Sequence, residues 1–341
     1  MTALEPGTEA DSDQVFAETR LWPDLSGPMP VVVVGLPRSG TSFLSHALSQ
    51  LPDYYVFDDL YVLTHAAARK AGDAPLTAGQ LDDLLFFLGW QIRARHRFGS
   101  YAMPAVEEAR AEDLNDALRA SFRAAPGTVL DLQAEWLLRL AFAQNARRWG
   151  FKMPKAFLQA SRLFQAYDGM QLVYMMRQPE DVLASYKNMP DDPTGDGDPR
   201  RYHPVVYALY WRLAARSFEK VSRQFPGRVH LVRFHEFIAD PLTHTNRLAG
   251  ILETEPAPQI AKPPKPNSSY RGKGDTSARR DLTGLEARII RLFCARDIAA
   301  LGFEARDTPP LKLSDIVDFL RTTVIWAGFH IRETYKRLRA R

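Results

Sequence analysis

Residues 29–42 read Met29-Pro30-Val31-Val32-Val33-Val34-Gly35-Leu36-Pro37-Arg38-Ser39-Gly40-Thr41-Ser42. Four consecutive valines leave no polar face, the pattern of a strand covered on both sides in a parallel sheet. The run stops at Gly35. From Thr41 to Leu51 the apolar residues Phe43, Leu44, Ala47, Leu48 and Leu51 recur at helical spacing, so strand, glycine loop and helix follow in that order. Such a loop aims backbone N–H groups and the positive end of a helix at one spot, which suits phosphate or sulfate. The spacing is that of G-x-x-x-x-G-K-[ST], except that Thr41 stands where the lysine would be. A nucleoside triphosphate would lose its main contact to the β- and γ-phosphates. Arg38, inside the loop, can serve a shorter chain of one phosphate and one sulfate, because its planar fork meets two oxygens at once.

A second segment has the same character. Gln171 to Met176 reads as a strand and a helix opens at Pro179, where the missing donor costs nothing. Arg177 ends the strand, and Ser185 follows about two helical turns later, so both can reach one anion. A strand that holds Mg²⁺ for phosphoryl transfer would end in a carboxylate; this one ends in arginine. Both departures count against a P-loop nucleotide kinase, which stays as the alternative enzyme. A nucleotide-binding protein without turnover is the alternative from another class.

These segments resemble the sulfotransferases that use 3′-phosphoadenosine 5′-phosphosulfate (PAPS). That family carries P-[RK]-[ST]-G-T-[ST] after its first strand, and Pro37 to Ser42 match it; the arginine is similar to the carbohydrate, tyrosylprotein and bacterial branches. The family also carries an Arg-[DN]-Pro turn with a serine eight residues after the arginine. Arg177, Pro179 and Ser185 match, and Gln178 departs. The resemblance implies that Arg38, Ser39, Gly40, Thr41 and Ser42 hold the 5′-phosphosulfate, that Arg177 and Ser185 hold the 3′-phosphate, and that no metal is required.

Sulfuryl transfer needs a base for the acceptor's proton and positive charge on the leaving oxygen. Val56-Phe57-Asp58-Asp59 resembles the family's apolar-apolar-Glu-Pro pattern, which implies Asp58 as the base; Asp59 and His65 stay open. Lys152, in Gly150-Phe151-Lys152-Met153-Pro154-Lys155, together with Arg38, is implied for the leaving oxygen, with Lys155 the alternative to Lys152. Arg271 and Lys273, in a Pro-, Ser- and Gly-rich flap over 255–281, loosely resemble a loop that closes over the 3′-phosphate. Tyr61 or Tyr270 could touch adenine. Arg233 to Phe237 reads as structural, and His46 as packed.

Beyond these segments, strands alternate with helices. The expected fold is α/β, P-loop-like and three-layered, with a central, mainly parallel sheet flanked by helices. Thr128–Leu132 reads as a further strand, and Phe86, Phe87 and Trp90, at helical spacing, read as core. Three regions follow: a flexible arm over 1–28, a sulfotransferase domain over 29–313, and an amphipathic helix with a basic end over 314–341.

Lys and Arg exceed Asp and Glu by 4 in 341 residues, too little to point to nucleic acid. One cysteine excludes an intrachain disulfide. No apolar run reaches membrane-spanning length, so the expectation is a cytoplasmic enzyme. The basic helix 314–341 is also compatible with peripheral contact at the inner membrane face. The segments 58–125, 187–204 and 255–281 are expected to line the acceptor pocket. The acceptor (lipid, glycan or small metabolite) and the oligomeric state are not legible.

Overall fold

A computed structural model describes residues 29–98, 108–188, 199–261 and 281–339. The arm over 1–28 and most of the flap, with Tyr270, Arg271 and Lys273, lie outside the described residues.

Five strands, β1 (Val31–Gly35), β2 (Tyr54–Phe57), β3 (Arg148–Lys152), β4 (Gln171–Met176) and β5 (Val229–Arg233), hydrogen-bond in the order β2-β3-β1-β4-β5. The sheet is parallel throughout and flanked by helices, as the valine run requires. Val31, Val32 and Val33 face Gly150, Phe151 and Lys152 in register, and Tyr54 to Phe57 face Arg148 to Phe151.

The chain divides into two compact units. The first comprises the described residues of 29–33, 42–173 and 240–261. Its helices are α1 (Thr41–Leu48, from Ser42 onward), α2 (Ala66–Ala71), α3 (Ala78–Phe98), α4 (Glu108–Ala124), α5 (Val129–Ala143), α6 (Ala160–Ala166) and, after the excursion into the second unit, a helix over Pro241–Ile251. α5 covers β2 and β3, with Trp136 fully buried and edge-on to Phe57 at 4.9 Å between centroids. α3 turns Leu81, Leu84, Leu85, Leu88 and Ile92 inward, against Leu114, Leu118 and Phe122 of α4.

Two expectations fail in this unit. Thr128–Leu132 is not a strand. Thr128 caps α5: its hydroxyl accepts from the Asp131 N–H while the Asp131 carboxylate accepts from the Thr128 N–H, a reciprocal box that outweighs the local strand preference. Phe86 and Trp90 are not core. They are 72% and 50% exposed, because the leucine stripe of α3 already fills its inward face.

The second unit holds 34–41, 174–239 and 281–339 among the described residues. In chain order its helices are α7 (Pro179–Lys187), α8 (Pro204–Gln224), α9 (Phe234–Ala239), α11 (Gly284–Ala300) and α12 (Leu313–Arg339); the Pro241–Ile251 helix of the first unit is α10. α8 and α11 pack on each other, and α12 rests on α11 and on the single turn at Pro199–Arg201.

Thr128→Val tests the cap against strand preference, since valine is the better strand former. It is expected to cost about 1 kcal/mol, read as a lower urea midpoint at unchanged slope; an unchanged or higher midpoint would contradict the capping account.

Candidate active site

The loop after β1 is shaped by residues that only its position explains. Gly35 and Gly40 have φ of 148° and 92°, and Arg38 has φ of 74°, left-handed backbone that a non-glycine residue rarely adopts. At Gly35 a side chain has no room, since a Cβ would lie 2.2 Å from the carbonyl oxygen of Met175. At Gly40 it would lie 2.3 Å from the Phe234 ring. The Ser39 N–H donates to Leu36 O at 3.1 Å, closing the turn.

The second motif meets this loop. Arg38 Nε donates to Ser185 Oγ at 3.2 Å, and Arg177 Nη1 donates to the Arg38 carbonyl at 3.2 Å. The Arg177 guanidinium lies 4.6 Å over the Phe234 ring, and its carbonyl accepts from Trp211 Nε1 at 2.8 Å. Two polar atoms here are buried without a hydrogen-bond partner among the described residues: Ser39 Oγ and Arg177 Nε. Arg177 Nε is 3.9 Å from Asp181 Oδ2, beyond hydrogen-bond reach, and Asp181 is itself clasped by Arg306 at 2.6 and 2.9 Å. Buried donors left in this state cost free energy unless something accepts from them. An anion with several oxygens suits the set. Gln178, the departure from the family turn, donates to Glu304 O at 2.7 Å and so holds the turn by a different bond.

The first unit carries a separate charged cluster. Lys152, at the end of β3, is 2% exposed. Its Nζ lies 3.0 Å from Asp58 Oδ1 and also pairs with Asp59 Oδ1. Ser45 Oγ donates to Asp58 Oδ1 at 2.9 Å, and Tyr61 Oη donates to Asp59 Oδ1 at 2.9 Å. The Leu60 N–H donates to Lys152 O at 3.0 Å, which ties the Asp58-Asp59 turn to β3. Asp59 reaches Lys152 from a left-handed backbone, φ 57°. Burial pushes the His46 imidazole below its ordinary value, opposed by the Ala261 carbonyl and by Asp58.

The structure thus brings Arg38, Ser39, Arg177 and Ser185 together in one unit, and Asp58, Asp59 and Lys152 in the other. Lys155 is exposed. His65 caps α2, its Nδ1 accepting from the Ala67 N–H at 3.3 Å, which occupies the nitrogen a base would use. Tyr61 is bound to Asp59. Sequence reasoning missed Ser45 and Phe234. Ser45 follows Thr41 by one helical turn, a legible signal; Phe234 sits in a segment read as structural, and it does that work beneath Arg177. Among the described residues no group of three or more His, Cys, Asp or Glu side chains is placed to hold a metal. No helix among them is long and apolar enough to cross a membrane. Within the second unit a cavity of about 560 Å³ is lined by Lys187, Arg200, Tyr202, Glu286 and Asp315, among others. Lys187 and Tyr202 both bind the Glu286 carboxylate there, at 2.7 and 2.9 Å.

A model described as "Sulfotransferase family" matches residues 30–258, about two thirds of the chain. The chain belongs to the sulfotransferase family. No curated protein matches it in sequence. Among solved structures, the sulfotransferase domain of the Synechococcus olefin synthase is 16% identical, with 89% of this chain and 95% of that one covered at a TM-score of 0.48. The sulfotransferase domain from the curacin biosynthetic pathway is 15% identical, with 89% and 98% covered at 0.48. A sulfotransferase from Alicyclobacillus acidocaldarius is 18% identical, with 80% and 94% covered at 0.43.

Removing Lys152 should leave the half-buried Asp58 and Asp59 carboxylates without its charge. Lys152→Met is expected to lose about 3 kcal/mol of unfolding free energy, and the triple variant Asp58→Asn/Asp59→Asn/Lys152→Met to regain most of it. Equal losses in the two proteins, measured by urea denaturation, would show that the ion cluster is not what the lysine holds.

Proposed function

We propose that this sulfotransferase takes its sulfuryl group from PAPS and passes it to a hydroxyl or amine of an acceptor. One observation carries the donor assignment. The loop after β1 and the β4–α7 turn, about 140 residues apart in sequence, are joined by Arg38–Ser185 and Arg177–Arg38 O bonds, with Ser39 Oγ and Arg177 Nε buried and unpartnered beside them. Two basic side chains and two hydroxyls in one cradle suit a ligand with a phosphate at each of two positions. Arg38, Ser39, Gly40, Thr41 and Ser42 would bind the 5′ end, and Arg177 and Ser185 the 3′ end. The donor supplies an activated sulfuryl group with a phosphate as leaving group; the chain supplies position and charge. Thr41 at the lysine position and Arg177 at the carboxylate position both disfavour a nucleoside triphosphate with Mg²⁺.

The acceptor's proton is assigned to Asp58. Ser45 and Lys152 both bind its Oδ1, which restrains the carboxylate at the end of β2. Positive charge for the leaving oxygen is assigned to Arg38 and Lys152.

The test is the melting temperature with 3′-phosphoadenosine 5′-phosphate and, separately, with ATP–Mg²⁺, for wild type and Arg177→Ala. At a hundredfold excess over Kd the bisphosphate should stabilise the wild type by about 2.7 kcal/mol, with no effect of ATP and little effect on Arg177→Ala. Stabilisation by ATP alone would instead make the chain a triphosphate enzyme.

A further inference from the structure

The connection that leaves α11 crosses the start of α7 and is fastened along its length. Arg233 Nε donates to the Leu301 carbonyl at 2.8 Å. Gly302 turns there with φ 71°, and a Cβ on it would lie 2.6 Å from the same guanidinium. Phe303 is buried, 6.4 Å from the Trp211 ring and 5.8 Å from the His235 ring. Gln178 Nε2 donates to the Glu304 carbonyl at 2.7 Å. Arg306 then closes on Asp181 with both arms of its fork, Nη1 to Oδ1 at 2.6 Å and Nη2 to Oδ2 at 2.9 Å. A bidentate pair of this kind fixes the orientation of a carboxylate as well as its position. Residues 301–306 lie beyond the stretch 30–258 that matches the family model.

Asp181 stands where its charge matters. In the first turn of α7 a carboxylate suits the helix dipole. The same place sets it beside Arg177, four residues earlier, the side chain assigned to the 3′-phosphate. Asp181 Oδ2, the oxygen that Arg306 Nη2 holds, is 3.9 Å from Arg177 Nε. Arg177 Nε is buried with no hydrogen-bond partner among the described residues. An ordinary charge-assisted bond is only about 1 Å shorter than this separation. A small rotation of the Asp181 side chain would close the gap and give Arg177 an internal anion in place of a ligand's.

We propose that Arg306 is a positioning residue for the donor: by clasping Asp181 it keeps that carboxylate from pairing with Arg177, which stays available to a 3′-phosphate. The charges of Arg306 and Asp181 offset each other, so the positive charge of Arg38 and Arg177 stands undiminished. Without Arg306 one uncompensated carboxylate remains next to Arg177. It opposes a phosphate twice, by occupying the guanidinium and by repelling a like charge at short range. This role presupposes the donor assignment and adds to it a residue that touches neither the donor nor the acceptor.

The experiment is a calorimetric titration of the full chain with 3′-phosphoadenosine 5′-phosphate. Arg306→Gln should bind it about tenfold more weakly than wild type, the scale of one close charge pair. Arg306→Gln/Asp181→Asn should recover most of that loss, and Asp181→Asn alone should bind at least as tightly as wild type. The Arg306 side chain is 50% exposed, so glutamine removes little packing, and a cooperative thermal transition in each variant confirms folding. Unchanged affinity in Arg306→Gln would overturn the role. So would a loss that Asp181→Asn does not reverse, because Arg306 would then act as a direct ligand contact or a brace for the turn. Weaker binding by Asp181→Asn alone also overturns it, and that result needs no arginine variant to fold. A wild type that binds no bisphosphate would instead sink the donor assignment, and this role with it.

Discussion

At the end of β1 there is no space for a side chain. A Cβ on Gly35 would overlap the carbonyl oxygen of Met175, and this contact sets the course of the chain beyond both strands. Because the two strand ends touch backbone to backbone, the loop that leaves one and the turn that leaves the other start from the same place. Arg38 and Arg177 then converge without either chain segment travelling far. Arg38 leans on Ser185, and Arg177 on the Arg38 carbonyl and the face of Phe234. Asp181, the carboxylate 3.9 Å from Arg177 Nε, is itself held by Arg306. Gly40 repeats the constraint at the other end of the loop, where the ring that supports Arg177 leaves no room for a methyl group.

The Lys152 cluster obeys the opposite logic. There a cation is enclosed with two carboxylates close enough to neutralise it, and Ser45 and Tyr61 take up further acceptor capacity on each carboxylate. Ion pairs at this depth contribute little net stability, since desolvation offsets most of the attraction, yet losing one member is costly. A cluster with that balance resists substitution and contributes little to folding, which is a reason to look for its value in chemistry.

Much of the fold could be read from residues. The valine run, the glycine loop and Pro179 each have one physical meaning, and each became the element expected. Arg38 and Arg177 stand out in the sequence because they follow strand ends, where the chain has few conformations to choose among, and Ser185 by its place in the helix after Arg177. The misreadings have a common cause. Thr128 and Phe86 lie where two local preferences compete, and the winner depended on partners elsewhere along the chain. For Thr128 the partner was Asp131, three residues on and visible in the sequence as a capping box. For Phe86 and Trp90 it was the leucine stripe of α3, whose claim on the inward face becomes visible only once α4 is known to cover it. The Lys152 pairings were beyond a linear reading, since β2 and β3 are separated by about ninety residues.

The terminal helix shows how one pattern can cover two faces. Taken in sequence order alone, its apolar residues form one amphipathic helix with a basic end, and a membrane contact is a fair expectation. Once Phe319, Trp326 and Phe329 are seen packing toward His203, Arg200 and the body, the remaining apolar residues lose their aromatic members and become a stripe of Leu, Val and Ile at heptad spacing, with Tyr335 at its edge. Packing α12 onto α11 would need only the inward side. A solvated outer face would be served as well by Lys, Glu and Gln, which keep helix propensity without exposing oil to water.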